Sequence, residues 1–171
     1  IPKTISNFTK NVEMIFNKKR DLLIVVGGGS LPPQLYDKPH EDELQPNRDR
    51  MEEQVIHYCV AHGIPIIATC RGMQYINVMF GGKLWYHPRL PVSRTRGVDH
   101  QVWLVKEQRN IWVNNYHSDC IYEEGLASCF EPLAIDRENH VVEAYGSDEM
   151  KSLALQWHPE RRFETANAYE E

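Results

Sequence analysis

Three side chains spread through the sequence have the types needed for nucleophilic acyl transfer: Cys70, His158 and Glu160. The stretch PIIATCRGM (65–73) runs from a proline through a short apolar segment into Cys70 and then into a helical pattern. A strand that ends in a nucleophile and turns at once into a helix exposes that side chain at the carboxyl edge of a sheet, beside the helix's positive end. A thiol becomes reactive there. The first-turn amides of such a helix have no intrahelical partners, so the Arg71 N–H can meet an oxyanion formed next to Cys70, while Gly72 keeps the turn open. The alternative for a lone cysteine is a small buried hydrophobe.

WHPE (157–160) tips that balance. It follows the apolar run SLALQ directly, which delivers His158 and Glu160 to the same sheet edge as Cys70, because parallel strands end together. Residues two apart on an extended segment share a side. Glu160 can therefore accept a hydrogen bond from one ring nitrogen of His158 while the other addresses the thiol. Standing alone, HPE would serve equally as an exposed turn.

The elements needed to hold these groups are legible. DLLIVV (21–26), closed by GGG, reads as a strand covered on both faces. Residues 47–62 place Met51, Val55, Ile56, Cys59 and Val60 at helical spacing before Gly63 and Pro65. PIIAT is the next strand, and 71–80 a helix nearly buried all round, stopped by Gly81-Gly82. Strand, helix, strand, helix is the order of a parallel sheet with right-handed crossovers. Five short β-rich runs follow, at 100–105, 111–116, 131–136, 140–146 and 151–157. The proline- and acid-rich stretch 30–46 has no periodicity and is expected to be a functional or mobile loop.

Composition excludes several classes. A chain of 171 residues with 42% hydrophobic content has the size and core of one domain, expected to span 1–171. A net charge of −5 and a pI near 5.9, with basic residues scattered among acids, argue against a nucleic-acid partner. No apolar run approaches a membrane span and the N-terminus lacks a secretory pattern, so a cytoplasmic location is expected. The four cysteines, irregularly spaced and without C-x-x-C, read as reduced thiols. His57, His62, His87, His100 and His140 have no metal-ligand spacing with cysteines or acids. Neither a metal nor a cofactor is expected.

CRGMQ (70–74) with QWHPE (156–160) resembles the class I glutamine amidotransferase-like superfamily. GGGSLPPQLY (27–36), RDRME (48–52), GGKLW (81–85) and VNNYH (113–117) resemble its stand-alone γ-glutamyl hydrolase branch, the peptidase C26 group, in order from about residue 21 to 164. The resemblance implies a flavodoxin-like three-layer α/β sandwich with a mostly parallel central sheet and a nucleophile elbow. It implies Cys70 as nucleophile, His158 as general base and then acid, and Glu160 as orienting carboxylate. The oxyanion hole would use Arg71 and either Gly28 or Gly29, and Gln74, Asn115, Tyr116 and His117 would contact the glutamyl end of a small γ-glutamyl substrate. Tyr36, Arg48 and Asp49 would shape a lid or leaving-group pocket, although a loop anchor or helix cap serves as well.

Two departures stand out. Ala68 replaces the glycine usual two before the cysteine, and the strand and helix that such proteins carry before the equivalent of Ile1-Pro2 are missing here, with a truncated, cleaved or incomplete start as the expected reason. Three readings follow from the likeness: a γ-glutamyl amide hydrolase, which includes one acting on a glutamine-derived phosphoramidate of surface-polysaccharide synthesis; a glutaminase subunit feeding ammonia to a partner synthase; and a ligand-binding scaffold, which the complete triad disfavours. A homodimer stays open.

Overall fold

The computed structural model describes residues 17, 19–36, 44–86 and 97–161. Its main sheet has seven strands in the order β1-β2-β9-β8-β7-β4-β5. Strands β1 (Leu23–Val25), β2 (Ile66–Thr69) and β9 (Ser152–Leu155) run parallel, with Ala68 aligned to Val25 on one side and Ala154 on the other. The remaining strands β8 (Val141–Ser147), β7 (Glu131–Asp136), β4 (His100–Leu104) and β5 (Arg109–Val113) extend the sheet antiparallel. A small antiparallel pair, β3 (Trp85–Tyr86) with β6 (Asp119–Cys120), lies apart. Residues 1–16, 37–43 of the 30–46 loop and 87–96, with His87, lie outside the described residues.

Helix α1 (Pro46–His62) closes on Gly63, whose φ of 65° is the left-handed cap that glycine adopts without strain. The Gly63 N–H reaches the Val60 carbonyl and the Ile64 N–H the Cys59 carbonyl, which satisfies the last turn. The helix buries Ile56 and Cys59 as its apolar spacing predicts, but Asp49 is buried with them and Met51 is 51% exposed. Asp49 turns inward because it has a buried cation to meet, described below, and that carries Met51 outward. Helix α2 (Arg71–Met79) is buried from Arg71 to Asn77, as expected for a helix enclosed nearly all round, although three of those buried residues, Arg71, Gln74 and Asn77, are polar.

The expectation that β1 is covered on both faces does not hold among the described residues: Val25 is buried but Ile24 is 57% exposed. Burial alternates along it, as on a strand with one packed face. That packed face meets α2 so closely that a Cβ on Gly72 would overlap the Val25 carbonyl, a specific reason for glycine there. One core cluster joins Val25, Ile56, Ile66, Met73, Ile76 and Tyr145. A second, around Val102, Val113, Ala134 and Ala144, lies in the antiparallel half of the sheet. The three hairpins β4–β5, β7–β8 and β8–β9 turn through Gln108, His140 and Lys151, non-glycine residues with φ of 53°, 55° and 50°.

Candidate active site

Cys70 occupies the one-residue joint between β2 and α2, with φ 51° and ψ −111°. That conformation is costly for a side-chain-bearing residue, of order 1–3 kcal/mol, and persists only where its surroundings enforce it. They do so here. The Cys70 N–H donates to the Leu155 carbonyl of β9 at 2.7 Å, and its own carbonyl accepts from the Gln74 N–H at 3.1 Å to start α2. Ala68 sits fully buried in the ladder between β1 and β9, so a methyl group two residues before the turn is accommodated.

His158 arrives just beyond the end of β9. Its Nδ1 and the Glu160 Oε1 are 2.6 Å apart, and its backbone is held at both polar groups by the Asn114 amide. The edge of its ring meets the Tyr116 ring at 5.8 Å and 87°, and the Arg161 guanidinium lies 4.4 Å over the other aromatic. Cys70 and His158 converge on Gly27: a Cβ built there would lie 2.8 Å from His158 Cε1, 3.5 Å from Nε2 and 3.6 Å from the Cys70 Cβ. With Nδ1 engaged by Glu160, Nε2 is the ring nitrogen nearer the Gly27 position.

Burial pushes the Glu160 carboxyl up, but the His158 hydrogen bond, backbone donation and the charges of His158 and Arg161 outweigh it and hold its pKa below the ordinary value of 4.5. By contrast the Cys59 thiol, enclosed by core, is pushed up to about 11 by burial.

A cavity of about 430 Å³ opens beside Cys70, lined by Gly28, Gly29, Arg71, Gln74 and His117 of the expected set. Ser30, Gln45, Ser118 and Asp119 complete its wall. Asn115 and Tyr116 are not brought to that wall: the Asn115 carbonyl accepts from the Gly97 N–H at 2.6 Å, and Tyr116 packs against His158. Gln74 is tethered, its Nε2 donating to the Asp119 carbonyl at 3.0 Å and to Gln156 Oε1 at 3.2 Å. His117 is fixed through Nδ1 on the Asp119 carbonyl at 3.0 Å.

Beneath the glycine loop lies a charged network. The Arg71 side chain is 1% exposed and bonds Asp49 and Glu52 of α1, the latter at 2.6 Å. A buried guanidinium needs such partners, since leaving it unpaired costs several kcal/mol. Arg48 bonds the other Glu52 oxygen at 2.6 Å and the carbonyls of Val26 and Gly27 at 2.7 and 3.1 Å. Tyr36 Oη donates to Asp119 Oδ2 at 2.9 Å. Tyr36 and Arg48 thus anchor loop segments, and Asp49 joins α1 to α2 through Arg71. Asn114 and Glu52 were not singled out by sequence reasoning; the only signals were the doubled asparagine of VNNYH and the acid closing RDRME.

Among the described residues no group of three or more His, Cys, Asp or Glu side chains is arranged to hold a metal ion, and no helix is long and apolar enough to cross a membrane.

The fold is that of flavodoxin-like class I glutamine amidotransferases. A glutamine amidotransferase of Thermotoga maritima superposes with a TM-score of 0.55 at 16% identity, covering 79% of this chain and 55% of that one. The glutamine amidotransferase-like protein YvdE of Lactococcus lactis subsp. lactis is 30% identical over 164 residues, 85% of this chain and 68% of the relative. The γ-glutamyl-γ-aminobutyrate hydrolase PuuD of Escherichia coli K12 is 26% identical over 175 residues, 87% of this chain and 67% of the relative. The chain thus spans about half to two thirds of the length of these proteins. The peptidase C26 family model matches residues 6–160. The chain belongs to the peptidase C26 family, hydrolases acting on C–N amide bonds within the class I glutamine amidotransferase-like superfamily.

Proposed function

We propose that the chain is a cysteine-dependent hydrolase of the γ-glutamyl amide bond in a small γ-glutamyl compound, carried out by one domain over 1–171. The observation that carries this reading is the convergence of the Cys70 side chain and the His158 ring on Gly27, with Glu160 2.6 Å from the far ring nitrogen. An imidazole oriented by a carboxylate can take the thiol proton, and the thiolate is the competent nucleophile.

In this mechanism Cys70 Sγ attacks the δ-carbonyl carbon and the carbonyl π electrons move onto oxygen, where the amide of Arg71 and one of the glycine-loop amides stabilise them. The C–N bond then breaks as His158 hands its proton to the leaving amine, which leaves a γ-glutamyl thioester on Cys70. Water, deprotonated by His158, attacks the thioester; glutamate departs and the thiol regains its proton. The cavity beside Cys70 would take the glutamyl part, with Gln74 and His117 on its wall.

A second reading, a glutaminase subunit delivering ammonia to a partner synthase, is supported by the amidotransferase names among the similar proteins. Presenting the purified chain with glutamine and a panel of γ-glutamyl amines, with mass-spectrometric detection of glutamate and amine, separates them. Turnover of a γ-glutamyl amine by the chain alone is the expected result. Glutamine hydrolysis that begins only when a synthase is added would favour the subunit reading.

A further inference from the structure

We propose that Arg48 is a positioning residue that selects Gly28, rather than Gly29, as the second oxyanion donor. This rests on the acyl-transfer reading above and extends it to a side chain outside the triad. The Arg48 guanidinium holds two successive carbonyls of the glycine loop, Val26 O at 2.7 Å and Gly27 O at 3.1 Å. A trans peptide unit is planar, with its C=O and N–H pointing opposite ways. Fixing the Gly27 carbonyl toward Arg48 therefore aims the N–H of the same peptide unit, which belongs to Gly28, away from Arg48. Gly28 and Gly29 both lie on the wall of the cavity beside Cys70, but of the two it is the Gly28 N–H whose peptide unit Arg48 holds, while Gly27 carries the contact with His158.

The clamp is rigid. Arg48 Nε bonds Glu52 Oε1 at 2.6 Å and its Nη1 bonds Gln45 Oε1 at 3.0 Å, so the guanidinium is pinned along two further edges. The other Glu52 oxygen takes Arg71 Nη1 at 2.6 Å. One carboxylate thus references both proposed donors, Gly28 through Arg48 and Arg71 through its own side chain. The guanidinium also lies directly over Gly28: a Cβ at that position would overlap Arg48 Nη1. Gly28 is glycine because the clamp occupies the space a side chain would need.

The test separates oxyanion stabilisation from thiol reactivity. Acylation by p-nitrophenyl acetate needs the oxyanion donors, whereas alkylation of Cys70 by iodoacetamide forms no oxyanion. Removing one donor in comparable acyl-transfer sites costs about 100-fold or more in rate. Arg48→Ala is expected to slow the acylation burst by about 10- to 100-fold, with the KM for the ester within about twofold and the alkylation rate unchanged. Arg48→Lys, which can hold one carbonyl at a time, is expected to recover part of the loss. The losses from Gly28→Ala and Arg48→Ala should be strongly non-additive, because each disrupts the same contact. In semisynthetic full-length chains, an ester in place of the 27–28 amide should reproduce the loss, and one in place of the 28–29 amide should not.

An unchanged burst in a folded Arg48→Ala, or a burst and an alkylation rate that fall together, would overturn the proposal, as would a wild-type chain that the ester does not acylate. A wild-type chain that the ester acylates but that cleaves no γ-glutamyl amide would sink the substrate assignment alone.

Discussion

Asn114 grips the backbone of His158 from both sides: its Nδ2 donates to the His158 carbonyl at 2.7 Å and its Oδ1 accepts from the His158 N–H at 2.9 Å. The strand β9 ends three residues before His158, so no ladder fixes the imidazole's backbone. A single side chain from the loop after β5 does so instead, and both of its groups are buried. Asn114→Ala leaves the buried His158 N–H unsatisfied, at about 1–3 kcal/mol, while the His158 carbonyl keeps the Arg161 N–H at 3.0 Å. Chemical denaturation should show that loss, and turnover should fall at least about tenfold because the proposed base loses its registration. Full activity in a destabilised Asn114→Ala would show that His158 is oriented by Glu160 alone.

Cys70 is held at φ 51° and ψ −111°, where only glycine is at ease. Removing the side chain relieves that strain at the expense of a small buried group. Cys70→Gly is therefore expected to abolish activity while raising stability by about 1 kcal/mol, read as a shift in the urea midpoint. Cys70→Ala, which keeps the Cβ, should be inactive with near-wild-type stability. A destabilised Cys70→Gly would mean that the thiol's packing outweighs the backbone strain.

The contrast between Cys70 and Asn114 marks what a sequence can disclose. Cys70 announces itself because strand, thiol and helix are contiguous, and His158 with Glu160 because strand and motif are contiguous; each is a local pattern with a local physical consequence. Gly63 likewise stops α1 where a left-handed residue is required. The Asn114 grip crosses 44 residues and the Arg48 and Arg71 contacts cross about 20, so no spacing rule reports them. On α1 the apolar spacing places Ile56 and Cys59 in the core, and Met51 departs from it, exposed on a helix whose Asp49 and Glu52 pair with buried Arg71. The apolar run of β1 could not disclose that alternate residues would face solvent, because burial of a strand is decided by what packs on it.

Glu160 supplies a prediction about acid. Its folded pKa lies below the ordinary 4.5, so the carboxylate is the form the fold favours. The stability it contributes is present above the unfolded value and disappears as pH falls through the lowered folded value. Its side chain is 58% exposed, which keeps that contribution small. An NMR titration should give a Glu160 midpoint below 4.5, and Glu160→Gln should flatten the stability profile between that midpoint and the ordinary value of 4.5. A midpoint above 4.5 would mean that burial outweighs the His158 bond. Since Glu160 stays ionised through the neutral range, the acid limb of the rate profile should belong to other groups.

Glu143 is the most deeply committed carboxylate in the sheet. It lies in the middle of β8 with no solvent exposure, its Oε1 3.6 Å from His100 Nε2 and 3.7 Å from His117 Nε2. Its own carbonyl accepts from the Gln156 N–H at 2.7 Å, which ties β8 to the segment leading to His158. Removing a fully buried carboxyl group from between two imidazoles opens a cavity and takes a polar partner from each, two costs that together come to about 3 kcal/mol or more. Glu143→Ala should therefore destabilise the chain by roughly 3 kcal/mol or more. Glu143→Gln keeps the volume and replaces the carboxyl group by an amide, so it separates the polar contribution from that of the cavity. Urea unfolding of the two variants measures both. A loss below about 1 kcal/mol for Glu143→Ala would show that neither imidazole depends on this carboxylate. Because His117 lines the cavity beside Cys70, a rise in KM in Glu143→Gln, with kcat retained, is expected if the same contact also sets the substrate wall.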